Sequence, residues 1–166
     1  HPLIINALTG GAQDVAHLNE RLAVLARETQ SVLAVGSQYA AVEEPELEET
    51  FRIVRQQLPQ GTVWANLGAH ATPAQAVMAV AMLDAAALQL HLNVAQELFM
   101  AEGDRDFRGY RDNIAAICSA VSVPVIVKEV GCGMQREAAE AILSCGARVL
   151  DVGGAGGTNF IAIEAK

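Results

Sequence analysis

The sequence predicts an α/β barrel of parallel strands. Three observations carry this: strand and helix patterns alternate without interruption, their period is nearly constant, and polar groups gather just past the strand ends. Short β-branched or aliphatic runs recur at Leu3 to Asn6, Val32 to Val35, Val63 to Asn66, Ala87 to Leu92, Val125 to Lys128 and Arg148 to Asp151. Each of the first five leads into helical periodicity, over Asp14 to Thr29, Pro45 to Gln57, Pro73 to Asp84, Arg108 to Val121 and Gln135 to Cys145. Pro45 and Pro73 stand at helix starts, where the missing N–H has no intrahelical partner to lose. Five steps from residue 3 to residue 148 give a period of about 29 residues, close to the ~31 of an eight-unit barrel of ~250 residues. The expected fold is therefore a (β/α)8 TIM barrel, incomplete in this chain. It has about six strands and five helices, with residues 1–166 forming a single partial-barrel domain. Roughly two βα units are expected to be missing, and the absence of an initiator methionine at His1 agrees with a fragment. A doubly wound open sheet is the alternative. Its G-x-G-x-x-G fingerprint should follow the first strand, where the sequence offers only Thr9-Gly10-Gly11.

Composition narrows the function classes. With 52% hydrophobic residues, the chain can bury a sizeable core. A formal charge of -8 repels phosphate backbones and anionic lipid, so neither nucleic acid nor a membrane surface is an expected partner. Cys118, Cys132 and Cys145 are odd in number and lack metal-ligand spacing. A reducing, cytoplasmic setting is expected, without disulfides or zinc. The longest apolar stretch, Ala76 to Leu83, is closed by Asp84 and falls far short of the ~20 residues that cross a bilayer.

In a barrel, chemistry sits at the carboxyl ends of the strands. Those ends carry Asn6 with Thr9, Ser37 with Gln38, Asn66, His91 with Asn93, Lys128 with Glu129, and Thr158 with Asn159. Nearly all are neutral hydrogen-bonding groups, which suit a flat heterocycle with alternating donors and acceptors, such as a flavin. Lys128 is the single cation in the set and would stabilise the charge that a reduced flavin gathers; the alternative is a lysine paired with Glu129. Glu97 reads either as a magnesium ligand, completed by water and substrate phosphate, or as a solvated loop carboxylate. His91 reads either as a site residue or as a satisfied core histidine, and Asn93 and Gln96 beside it favour the site. The glycine-rich run from Gly153 to Thr158 could bring N–H groups close to phosphate. The run from Glu102 to Asp106 reads as a solvated charge cluster, the glutamates from Glu43 to Glu49 as a solvated helix start, and Cys118 and Cys145 as core residues.

Six motifs in order carry a resemblance: Asn6-Ala7-Leu8-Thr9-Gly10-Gly11, Val35-Gly36-Ser37-Gln38, Asn66-Leu67-Gly68-Ala69, His91 to Glu97, Val127-Lys128-Glu129-Val130-Gly131, and Gly156-Gly157-Thr158-Asn159-Phe160. Together they resemble type 2 isopentenyl diphosphate isomerase, the FMN-dependent form, over essentially the whole chain. The resemblance implies an FMN-binding TIM barrel, expected as a homo-oligomer, that interconverts isopentenyl and dimethylallyl diphosphate. NAD(P)H would reduce the flavin and Mg2+ would neutralise the diphosphate. It further implies that Ala7, Leu8, Thr9, Ser37, Asn66, Lys128 and Thr158 contact FMN and that Glu97 binds Mg2+. Gln96 would lie beside the alkene, and His91 and Asn93 would assist with the diphosphate. Gln96 and His91 are thus the expected catalytic residues, and Ser37, Gln38, Tyr39, His91, Asn93 and Gln96 the expected substrate contacts.

Tyr39, Gln135 and Gly153 depart from the family pattern, which often has arginine, serine and serine there. The family's amino-terminal basic segment and last glycine-rich loops are absent, so the isolated chain is expected to be inactive. Its first and last strands are expected to be open, destabilising edges. The competing readings are another FMN-dependent TIM-barrel oxidoreductase, a relative of IMP dehydrogenase, a Schiff-base aldolase using Lys128, and a non-catalytic barrel fragment serving assembly. The second would need a cysteine in the loop from Gly154 to Phe160, which has none.

Overall fold

The computed structural model of the chain describes residues 3–165. Six parallel strands run in sequential order: β1 (Ile4–Ile5), β2 (Val32–Ala34), β3 (Val63–Gly68), β4 (Ala87–Leu92), β5 (Val125–Glu129) and β6 (Val149–Asp151). Parallel neighbours need a crossover between them, and the helical segments of the sequence supply it. The main helices are α1 (Ala16–Thr29), α3 (Glu49–Gln57), α4 (Pro73–Leu83), α6 (Tyr110–Ala120) and α7 (Arg136–Ser144). The result is a six-stranded parallel half-barrel with helices on its outer side.

Helix α4 shows how locally these boundaries are set. Thr72 caps it: its hydroxyl accepts from the Gln75 N–H at 3.2 Å while the Gln75 side chain accepts from the Thr72 N–H at 2.7 Å, and Pro73 follows as the first helical residue. At the other end Asp84 adopts a left-handed φ of 45° and returns its N–H to the Val80 and Ala81 carbonyls. Between these ends Ala76, Ala79, Met82 and Leu83 are buried.

Three further short helices occupy segments that the sequence reads as connections: α2 (Tyr39–Glu43), α5 (Val94–Glu97) and α8 (Phe160–Glu164). Each is too short to show a helical period, so tertiary context decides it. The expected helix from Pro45 begins as a 3-10 turn over Pro45–Leu47 before α3. Strand β3 runs two residues past Asn66, because β4 offers partners for Leu67 and Gly68 at Leu90 and His91.

Side-chain parity divides the sheet. Ala65, Leu67, Leu88 and Leu90 are fully buried in the core shared with the helices, so Asn66, Gln89 and His91 point to the opposite, concave face. Among the described residues β1 pairs only with β2 and β6 only with β5, and Ile4 and Val149 are exposed. Among the described residues no helix is long and apolar enough to cross a membrane.

Candidate functional site

On the concave face the strand-end amides join in a single hydrogen-bonded row. Asn6 Nδ2 donates to Asp151 Oδ2 at 3.0 Å, Gln89 Nε2 donates to Asn6 Oδ1 at 3.1 Å, and Asn66 Nδ2 donates to Gln89 Oε1 at 3.0 Å. His91 Nδ1 lies 3.0 Å from Asn66 Oδ1 and ends the row. Side chains from β3, β4 and β6 and from the residue just past β1 thus meet across the hollow. Gln89 and Asn66 are almost completely buried, and an unpaired amide there would cost ~1–3 kcal/mol.

His91 is neutral under ordinary conditions. Burial, reinforced by the basic His70 and Lys128 nearby, lowers its pKa from 6.5 to about 4. Gly68 makes room for this pair of imidazoles: a Cβ there would lie 2.5 Å from His70 Cε1 and 3.3 Å from His91 Nε2. The His70 ring also meets Tyr39 edge to face, with centroids 5.1 Å apart.

Lys128 is not paired with the Glu129 carboxylate. Its Nζ donates to the Glu129 backbone carbonyl at 2.7 Å, while the carboxylate turns away to accept the Val130 and Cys132 N–H groups at 2.9 and 3.0 Å. Among the described residues the ion pairs are Arg52 with Glu48, Arg108 with Asp106 and Arg136 with Glu140, so the Lys128 cation meets no carboxylate. Beside it opens a cleft of about 510 Å³, lined by Asn6, Ala7, Leu8, Gln96, Lys128 and the loop from Gly153 to Thr158. Gly154, Gly156 and Gly157 have nothing within 4 Å of a would-be Cβ, which leaves their backbone open to a ligand. Gly153, one of the departures from the family pattern, has φ +42° and would drive a Cβ to 2.2 Å from the Glu129 carbonyl, so glycine alone fits.

The loop after β4 is built around Glu97. One carboxylate oxygen accepts from Asn93 Nδ2 and the other from the Asp104 N–H at 2.9 Å. Arg105 staples the same loop through the carbonyls of Glu97, Gly103, Asp104 and Met100, so the Glu102 to Asp106 run is a folded loop rather than merely a solvated charge cluster. Among the described residues no three His, Cys, Asp or Glu side chains converge as a metal cage. Glu97 keeps a free lone pair on each oxygen, which fits a cation that takes one carboxylate and fills its shell with water and phosphate.

The other expected site residues are distributed unevenly. Thr158 lines the cleft near Lys128. Thr9 is drawn to α1 by a hydrogen bond to Asn19, and the Ser37 hydroxyl accepts from the Tyr39 N–H at 3.4 Å at the start of α2. Gln38 does not reach the mouth. It is fully buried, its carbonyl accepting from the Asn66 N–H at 3.0 Å and its amide donating to the Ala79 carbonyl at 3.0 Å, so it holds β3 on α4. Sequence reasoning missed Gln89, His70 and Asp151. Gln89 had a legible signal, a polar residue inside an apolar run with the parity of His91.

No family model matches the chain. Among solved structures it is similar to an aldolase, QR15, with TM-score 0.57 and 14% identity over 84% of this chain and 62% of that one. It is also similar to FabK from Thermotoga maritima, with TM-score 0.54 and 15% identity over 91% and 41%. At such identities these two show the fold alone. Curated relatives are closer. Proteins named isopentenyl-diphosphate delta-isomerase are 53% identical over 165 residues in Moorella thermoacetica and 49% over 164 residues in Staphylococcus haemolyticus and Staphylococcus aureus, covering 99% of this chain. The chain spans 47 to 48% of those relatives, about half their length. Over nearly all of its own residues, then, the chain is similar to about half of a protein named isopentenyl-diphosphate delta-isomerase.

Proposed function

We propose that the protein containing this chain interconverts isopentenyl and dimethylallyl diphosphate by a 1,3-allylic proton shift, as an FMN-dependent isomerase of isoprenoid biosynthesis. The observation that carries this reading is the 49 to 53% identity across 99% of the chain to relatives of that name. The geometry supports it through the row of amides on the concave face, the cleft beside Lys128 and the open glycine backbone. When bound, reduced FMN, kept reduced by NAD(P)H, supplies the proton transfer, and Mg2+ neutralises the diphosphate.

The chain's own residues bind, orient and insulate. Lys128 would offer a cation to a reduced flavin bound there, and Ala7, Leu8 and Thr158 border the same cleft. Asn66 is held rigid by Gln89 and Gln38. Glu97, fixed by Asn93 and the Arg105-stapled loop, would hold Mg2+, and Gln96, which lines the cleft, would stand beside the alkene. An alkene approaching carbocation character must be kept from water and from free carboxylates. Here the Glu129 carboxylate is turned onto backbone N–H groups, and Asp151 is held by Asn6 and the Gly153 N–H. A cytoplasmic setting and a homo-oligomer belong to the same proposal; the free cysteines support the first.

The test uses the complete gene product, incubated anaerobically with FMN, NADPH, Mg2+ and isopentenyl diphosphate in D2O and followed by NMR. Dimethylallyl diphosphate with incorporated deuterium, formed from catalytic NADPH, is expected. Flavin binding without conversion would reject the isomerase and return the oxidoreductase reading.

A further inference from the structure

We propose that Asp151, Asn6, Gln89 and Asn66 form a directional hydrogen-bond relay that holds His91 as its Nδ1–H tautomer. Its Nε2 is thereby left as a bare acceptor at the strand-end mouth, with Gln89 as the positioning residue. The direction follows from two groups that cannot reverse their roles. The Asp151 carboxylate only accepts, taking the Gly153 N–H at 3.1 Å and Asn6 Nδ2 at 3.0 Å. The Ala7 N–H only donates, and Asn6 Oδ1 receives it at 2.9 Å. Both therefore turn the Asn6 amide the same way, nitrogen toward β6 and oxygen toward Gln89.

The rest is forced in sequence. Facing the Asn6 oxygen, Gln89 must present Nε2, at 3.1 Å, and so must offer Oε1 to Asn66. Asn66 answers with Nδ2 at 3.0 Å and keeps Oδ1 for His91. Gln89 is 0% and Asn66 2% exposed, so water cannot repair a reversed amide. An oxygen that only accepts faces His91 Nδ1 at 3.0 Å, so the hydrogen resides on Nδ1. Neutral imidazole carries a single N–H, and burial keeps this ring neutral. Nε2 is therefore bare, and it lies beside the gap that Gly68 leaves, shared with His70.

A group that meets His91 at the mouth must bring a hydrogen to it. An ionised phosphate oxygen, which only accepts, can bond there only after Nε2 has gained a proton. The relevance to catalysis rests on the isomerase reading; the tautomer does not.

The experiment is side-chain 15N NMR of the histidines in the 15N-labelled full chain near neutral pH. His91 is expected with a pyrrole-like Nδ1 and a pyridine-like Nε2. Gln89→Met cuts the relay, frees Asn66 to turn, and should replace the single pyridine-like signal with averaged shifts at both nitrogens. A purely structural role for Gln89 would leave the His91 tautomer of the folded variant unchanged. A wild-type His91 protonated on Nε2, or a folded Gln89→Met protein with the tautomer unchanged, would overturn the proposal. The wild-type spectrum decides by itself if Gln89→Met does not fold. A correct tautomer in a complete protein that converts no isopentenyl diphosphate would reject the isomerase and leave the relay standing.

Discussion

Strands β3 and β4 at the centre of the sheet and β1 and β6 at its margins are written in similar residues but meet different fates. Val63, Leu67, Leu88 and Leu90 are fully buried, whereas Ile4 is 47% and Val149 46% exposed. The central strands run to six residues and the outer ones to two and three. A parallel strand is stabilised by a partner on each side and helices over its face, and an outer strand has one such partner. Hydrophobicity thus nominates a strand, and its neighbours decide how much the burial yields.

The sharpest way to break this comparison is truncation. Leu90→Ala removes a fully buried side chain between β3 and β5 and should cost about 3 kcal/mol in urea unfolding. Ile4→Ala at the margin should cost less than about 1 kcal/mol. Equal losses would mean that β1 is covered in solution.

Acid should weaken the centre next. Above pH 6.5 His91 is neutral in both the folded and the unfolded chain. As pH falls from 6.5 to about 4, the unfolded chain takes up a proton that the folded one refuses. Stability should therefore drop by ~3 kcal/mol over that window and level off below it. Unfolding midpoints across pH for the wild type and His91→Asn check this, because the substituted chain should lack the step.

Arg55 clamps the helices behind the central strands, donating to the carbonyls of Leu58 and Gly61 beyond α3 and of Leu83 and Asp84 at the end of α4. Its side chain satisfies orphan carbonyls that neither helix end can pair by itself. Arg55→Ala should lower stability by about 2 kcal/mol, with Arg55→Lys recovering only part because an ammonium cannot fork to four acceptors. At the margin, Val149→Lys should leave stability nearly unchanged and reduce self-association in light scattering, since a charge on an open strand blocks edge pairing. The smallest effect is expected at the turn between α1 and β2. There Gln30 holds a left-handed φ of 54°, and Gln30→Gly should raise the melting midpoint by a degree or so, worth under about 1 kcal/mol.

Much of the fold was legible. The six strands and the five long helices lie where periodicity and helix-start signals put them, within the few residues by which ends fray. The short helices α2, α5 and α8 were not legible, because four or five residues carry no period. Of the candidate site, the strand-end positions of Asn66, His91 and Lys128 could be read from the chain. Their partners could not. Glu129 is adjacent to Lys128 in sequence, yet the carboxylate points at Cys132 and Lys128 takes the backbone carbonyl instead. Gln38 sits next to Ser37 but faces the helices, because the chain turns there into α2 and the Gln38 amide is taken up by the Ala79 carbonyl of α4 and the Asn66 N–H of β3.

The sequence by itself determined the alternation of elements, the parallel order that the crossovers require, and which strand ends carry amides, an imidazole and a cation. These follow from local periodicity and from chain connectivity. Only the tertiary structure decided that Asn6, Gln89, Asn66 and Asp151 meet in one row and that His91 is held neutral. Hydrogen-bond direction and desolvation depend on atoms brought together from up to 145 positions apart, and no local pattern encodes such a meeting.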